Sequence, residues 1–179
     1  MTRQPGARLL AGLIDWLFMT VWIGLVSAVT VPLFLVGATI ALPPVAGNVV
    51  ATLVLVVPIT LALAVWESGP RQATPGKRAR RLVVRDVHSG EALPFRRALL
   101  RSALKIALPW VIAHTAVYAL VDASGTTGVT PTGAQAATLA AYVLPVAYLC
   151  TLFLGSGRTP YDRAAGALVV RVAPGPPRV

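Results

Sequence analysis

The chain has 179 residues, of which 56% are hydrophobic and only 12% charged; its mean hydropathy is +0.73. Soluble domains carry about 25% charged residues, so a soluble globular enzyme and an intrinsically disordered chain are both excluded. The net charge of +10 sits on apolar runs too long for a small nucleic-acid-binding domain, and points instead to a membrane protein facing anionic lipid.

A bilayer core of about 30 Å needs about 20 apolar residues per helix. Four segments qualify in chain order, over about 9–36, 49–66, 99–121 and 136–154. The first holds one charge, Asp15, which argues against a cleaved signal segment. The second and fourth hold none. The third carries Arg101, Lys105 and His114, with the two basic residues near its start, where long side chains snorkel to the interface. Segment 67–98 reads as a basic loop, with a β-prone run at Leu82-Val83-Val84-Arg85 and a turn at His88-Ser89-Gly90; Glu91 to Phe95 is expected to return as a second short strand. Phe95 to Leu104 has the pattern of an amphipathic interfacial start to the third helix. Residues 155–179 form a tail. The expected fold is an all-α membrane protein, a single domain over 1–179 with four transmembrane helices.

Every Lys and Arg lies at one end of this arrangement. Two sit at or before the first helix, ten between the second helix and the start of the third, and four after the fourth. The connections at 37–48 and 122–135 carry none. The positive-inside rule then places both termini and the middle loop in the cytoplasm. Each helix also contains one proline, Pro32, Pro58, Pro109 and Pro145, which membrane helices tolerate because neighbours satisfy the freed carbonyls.

An internal repeat is visible. Ser68-Gly69, Thr74-Pro75-Gly76-Lys77-Arg78-Ala79 and Leu82-Val83-Val84-Arg85 follow the second helix. Ser156-Gly157, Thr159-Pro160-Tyr161-Asp162-Arg163-Ala164 and Leu168-Val169-Val170-Arg171 follow the fourth. Two-helix units keep their orientation, so the halves form a parallel repeat about an axis along the membrane normal. Asp162 takes the place of Lys77, and the two are expected to face each other across that axis.

The chemistry is sparse. Cys150 is alone, His88 and His114 lack metal-ligand spacing, and no catalytic constellation is present, so neither an enzyme nor a cofactor is expected. Asp15 is the informative residue. A carboxylate within a membrane helix costs roughly 2.5–3.5 kcal/mol and must pair, face water or stay protonated. Arg8 is two turns away and too far for a direct bond to it. Lys105 is closer in depth, about 6 Å in against about 10 Å, and is the expected partner. Arg8, Asp15, Lys105 and Asp162 should converge on the cytoplasmic half of the bundle. His114, about 20 Å deep, is a weak candidate proton relay.

Arg8-Leu9-Leu10-Ala11-Gly12-Leu13-Ile14-Asp15 resembles the opening of the RDD family of bacterial membrane proteins, named for one arginine and two aspartates. Arg8 and Asp15 match the first two. Thr74-Pro75-Gly76-Lys77 with the following strand resembles the family's middle loop, and Tyr161-Asp162-Arg163 its closing element, which makes Asp162 the second aspartate. His88-Ser89-Gly90 stands where an Asp-Gly-like turn is expected. The resemblance implies a multi-pass protein of the bacterial cytoplasmic membrane. It implies transport of an undefined ligand, with proton/sodium exchange for some members, through an intramembrane carboxylate. The alternative is a non-transporting accessory protein that binds a partner protein or anionic lipid through its basic loop. The expected partners are the bilayer with its anionic lipids and a second copy or another membrane protein, with no nucleic acid.

Overall fold

The computed structural model describes residues 4–38, 40, 42–126 and 130–172. Four long apolar helices are candidate membrane spans: α1 (Pro5–Leu35), α2 (Pro44–Ser68), α4 (Phe95–Gly125) and α5 (Thr132–Phe153). Between and after them lie two short helices, α3 (Pro75–Ala79) and α6 (Pro160–Ala164), and two strands, β1 (Leu82–Asp86) and β2 (Ala167–Arg171). Proline marks the helix starts. It occupies the first turn of α1, α2, α3 and α6 and the cap position of α4 and α5, where its missing N–H costs nothing and its fixed φ suits the helix.

Two of the prolines inside the spans, Pro58 and Pro109, are compensated from neighbouring helices. Ahead of Pro58, α2 widens into a π-helical turn at Thr52–Val56, and ahead of Pro109, α4 does the same at Ala103–Ala107. Val54, four residues before Pro58, has its carbonyl oxygen taken by the Trp22 indole N–H of α1 at 3.1 Å. Leu104, five before Pro109, accepts from the Tyr148 hydroxyl of α5 at 3.1 Å. Each proline thus converts a lost backbone bond into a helix-to-helix bond.

The fold is not all-α. The β-prone run after α2 does form β1, but its partner is the tail strand β2 and not the neighbouring segment 91–95. That segment contributes only a single bridge, Ala92 to Arg85. Asp86 explains the difference. Its carboxylate accepts the backbone N–H groups of His88 and Ser89 and an ion pair from Arg97, closing a tight turn, and Pro94 caps α4 before a second strand can extend.

The β1–β2 pairing is antiparallel, with Leu82 opposite Arg171, Val83 opposite Val170, Val84 opposite Val169 and Arg85 opposite Leu168. The two Leu-Val-Val-Arg runs therefore face each other in reverse order, first residue to last. The buried apolar core lies at this end of the molecule. Ala64, Val84, Leu93, Ala98, Ala165 and Ala167 pack together, and a smaller cluster of Met19, Ile59 and Leu63 joins α1 to α2. The rest of the spans present Leu, Val, Phe and Trp outward, as lipid-facing helices do.

Candidate functional site

The site is built where α1, α2 and α4 meet the short helices. Thr74 and Thr159 cap α3 and α6 in the same way. Each hydroxyl accepts the backbone N–H three residues on, from Lys77 at 3.4 Å and from Asp162 at 3.3 Å. In α6 the Asp162 carboxylate also accepts the Thr159 N–H at 3.2 Å, completing a capping box.

Asp15 is 2% exposed. Its two oxygens accept from the Thr74 hydroxyl at 2.7 Å and from the Gly76 N–H at 2.8 Å. The carboxylate of α1 thus sits on the first turn of α3. Gly76 makes the approach possible, since a Cβ there would lie 2.0 Å from the Ala11 carbonyl oxygen and 2.9 Å from Asp15 Oδ1. The Thr74-Pro75-Gly76-Lys77 motif is a docking piece. Thr supplies a hydroxyl and the cap, Pro starts the helix, Gly admits α1, and Lys reaches inward.

Lys77 is buried, and its Nζ lies 2.5 Å from Glu67 Oε1 at the end of α2. Burial pushes the Lys77 ammonium down to about 8 even with Glu67 beside it. Arg101, 1% exposed, donates from Nη1 to both Glu67 oxygens at 2.6 Å and from Nε to Asp162 at 2.8 Å. Its guanidinium also lies over the Tyr161 ring, 5.3 Å from the centroid. Arg8 donates to Asp162 Oδ2 and to the Gly157 carbonyl oxygen, both at 2.5 Å. Burial opposes ionisation of Asp162, but Arg101 and Arg8 prevail and hold it well below the usual carboxylate range. The ionic chain therefore runs Lys77, Glu67, Arg101, Asp162, Arg8.

Arg8 meets Asp162 directly. Asp15 and Lys105 do not form an ion pair: Asp15 is held by neutral donors, and the Lys105 side chain makes no hydrogen bond or ion pair among the described residues. They share instead a cavity of about 290 Å³, which Arg8, Lys77 and Arg101 also line. Lys77 and Asp162 do not touch: Glu67 and Arg101 stand between them. His114 lies elsewhere, accepting from the Trp110 indole N–H at 2.6 Å, with its ring tilted against Trp110 and edge-on to Tyr118.

Two members of the chain of charges escape the sequence argument. Glu67 lies one residue beyond the expected end of the second span, yet it is one of only six acidic residues in a strongly basic chain, and that scarcity is the signal. Arg101 reads as an interfacial side chain, but the structure turns it inward, where two carboxylates meet it. Among the described residues no group of His, Cys, Asp and Glu is arranged to hold a metal ion.

No curated protein and no solved structure matches this chain. The profile of the RDD family does, over residues 2–166. That span takes in Arg8, Asp15 and Asp162 together with both capped short helices, so the chain belongs to the RDD family.

Proposed function

We propose that this RDD-family chain is a multi-pass protein of the bacterial cytoplasmic membrane that moves a small ion or solute, with Asp15 as its exchangeable charge. The observation that carries this reading is the position of the Asp15 carboxylate. It is buried with no cation within ion-pair distance among the described residues, while Glu67 and Asp162 are each held by two cations. It also lines two spaces at once. One is the charged cavity; the other is an apolar crevice of about 220 Å³ between α1 and α2, walled by Trp22, Pro58 and Trp66. A carboxylate with free lone pairs at such a junction can take up and release a proton or Na⁺.

The distribution of Lys and Arg supports cytoplasmic termini. The matching threonine caps and the mutually facing Leu-Val-Val-Arg runs support a parallel repeat of two helix pairs. Four helices leave little room for a path through one protomer, which favours a homo-oligomer or another membrane-protein partner.

The test is proton flux into liposomes loaded with a pH-sensitive dye and driven by a sodium gradient. Asp15→Asn keeps an oxygen for the Gly76 N–H and an amide that can donate to Thr74. It should fold and lose flux at least tenfold. Wild-type flux in that variant would refute the role of Asp15.

A second reading is supported by the exposed arginines of the loop and tail, Arg78, Arg81, Arg85, Arg96, Arg163 and Arg171. They suit an accessory or scaffold protein gripping anionic lipid or an acidic partner. Binding to anionic vesicles with no flux under any gradient would favour it.

A further inference from the structure

The buried and half-buried charges of this region sort into two groups. Arg8, Lys77 and Arg101 are satisfied by Glu67 and Asp162. Asp15 and Lys105 are left over. Among the described residues one is a carboxylate with no cation at ion-pair distance, the other an ammonium with no anion at ion-pair distance, and both line the same cavity. A charge withdrawn from water without a counter-charge is costly; Asp15 is buried and Lys105 half-buried on the same cavity wall, so this pair calls for something between them. Their own bond would do, but the structure keeps them apart. Thr74 and Gly76 hold Asp15 against α3, and Lys105 sits in the middle of the π-helical turn of α4. Such turns recur at functional sites.

Resting on the reading of this cavity as the ligand site, we infer that its ligand is a small zwitterion bearing one primary ammonium and one carboxylate. The ammonium donates to the free lone pairs of Asp15, each of whose oxygens has so far accepted one hydrogen bond. The carboxylate accepts from Lys105. A lone cation satisfies Asp15 and leaves Lys105 bare; a lone anion does the reverse and lies near the Asp15 charge. Only a molecule with both groups answers both.

The surplus positive charge of the cluster lies with the Arg8 side chain, which is 13% exposed and so less desolvated than Lys77 or Arg101. Size agrees as well. A cavity of about 150 Å³ accommodates benzene, so one of about 290 Å³ has room for roughly a dozen non-hydrogen atoms, more than a small amino acid requires. Met19, Ile106 and Leu152 on the same walls offer an apolar surface to the body of the ligand.

The experiment uses the full chain in lipid nanodiscs and reads binding by calorimetry, with no gradient present. The zwitterions are glycine, L-alanine and 4-aminobutyrate. Propionate carries the carboxylate alone and ethylammonium the amine alone, all at matched ionic strength. At least one zwitterion should bind saturably and at least tenfold more tightly than propionate and ethylammonium. Asp15→Asn and Lys105→Met should each weaken it by about tenfold to a hundredfold, the value of a charge-assisted contact. Lys105→Met removes no contact seen in the structure, so it serves even if Asp15→Asn fails to fold.

Propionate binding as tightly as the zwitterions, ethylammonium doing so, or none of the three zwitterions binding would each overturn the inference. Flux that depends on Asp15 without zwitterion binding would leave the transport reading standing and remove this one. Zwitterion binding without flux would do the opposite.

Discussion

Glu67→Gln is the most informative single perturbation of the ionic chain. The native carboxylate receives Lys77 Nζ at 2.5 Å and Arg101 Nη1 at 2.6 Å, with side-chain exposures of 1%, 7% and 2% for Glu67, Lys77 and Arg101. Gln keeps the shape but removes the charge, and its NH₂ points a donor at donors. Arg101 retains Asp162. Lys77 loses the only anion within ion-pair distance among the described residues and stays buried. Breaking a buried pair in this way costs about 3–5 kcal/mol, against at most about 1 kcal/mol for an exposed pair. SDS titration of the protein in mixed micelles, followed by tryptophan fluorescence with Trp66 adjacent to the change, measures the loss. Adding Lys77→Met removes the stranded ammonium, so the double variant should recover more than half of it. A single-variant loss below about 1 kcal/mol, or a double variant no more stable than the single, would refute the argument that Lys77 depends on Glu67.

Gly76→Ala should separate α1 from α3 and destabilise by about 1–3 kcal/mol in the same titration. Gly12→Ala, where a Cβ meets nothing within 4 Å, should be close to neutral. Asp162 is held below its ordinary value, so the native state binds fewer protons than the unfolded chain and stability rises with pH there. Stability from Asp162 should be complete above the ordinary carboxylate value of 3.8 and fall as pH drops below it. Melting from pH 6 to pH 2 should show that decline, and Asp162→Asn should flatten it. In a Cys150→Ala background, a membrane-impermeant maleimide applied to intact cells should label Ser124→Cys and spare Arg78→Cys; the reverse pattern would invert the topology.

The spans are legible in the sequence because a bilayer imposes a long, simple apolar signal, and each begins four or five residues earlier than the apolar run suggests. The added turns are polar or proline-led, as at Pro44 and Phe95, where composition says little. Arg8 and Asp162 are legible as part of one cluster because both lie at one depth. Their direct bond depends on α6 folding back, through left-handed Gly155 and Gly157. The partners of Asp15 were the harder part. Depth along a helix suggests Lys105, but depth ignores azimuth, and a neutral hydroxyl and a backbone N–H do not register in a count of charges. The same blindness hides the β1–β2 ribbon, whose strands stand far apart in the chain.

The mutually facing register of β1 and β2 bears on how such a chain can be assembled. A ribbon that pairs Leu-Val-Val-Arg with itself in reverse is the contact two identical half-length chains would make. In such a homodimer every position is duplicated. Two copies of the first half would bring a lysine to both short helices and leave neither Arg8 an aspartate there. Two copies of the second would bring two aspartates and no Glu67. Joining the halves in one polypeptide frees equivalent positions to differ, and the cation at Lys77 with the anion at Asp162 uses that freedom. The charge pattern that locks this bundle is available to a fused pair and closed to a symmetric one.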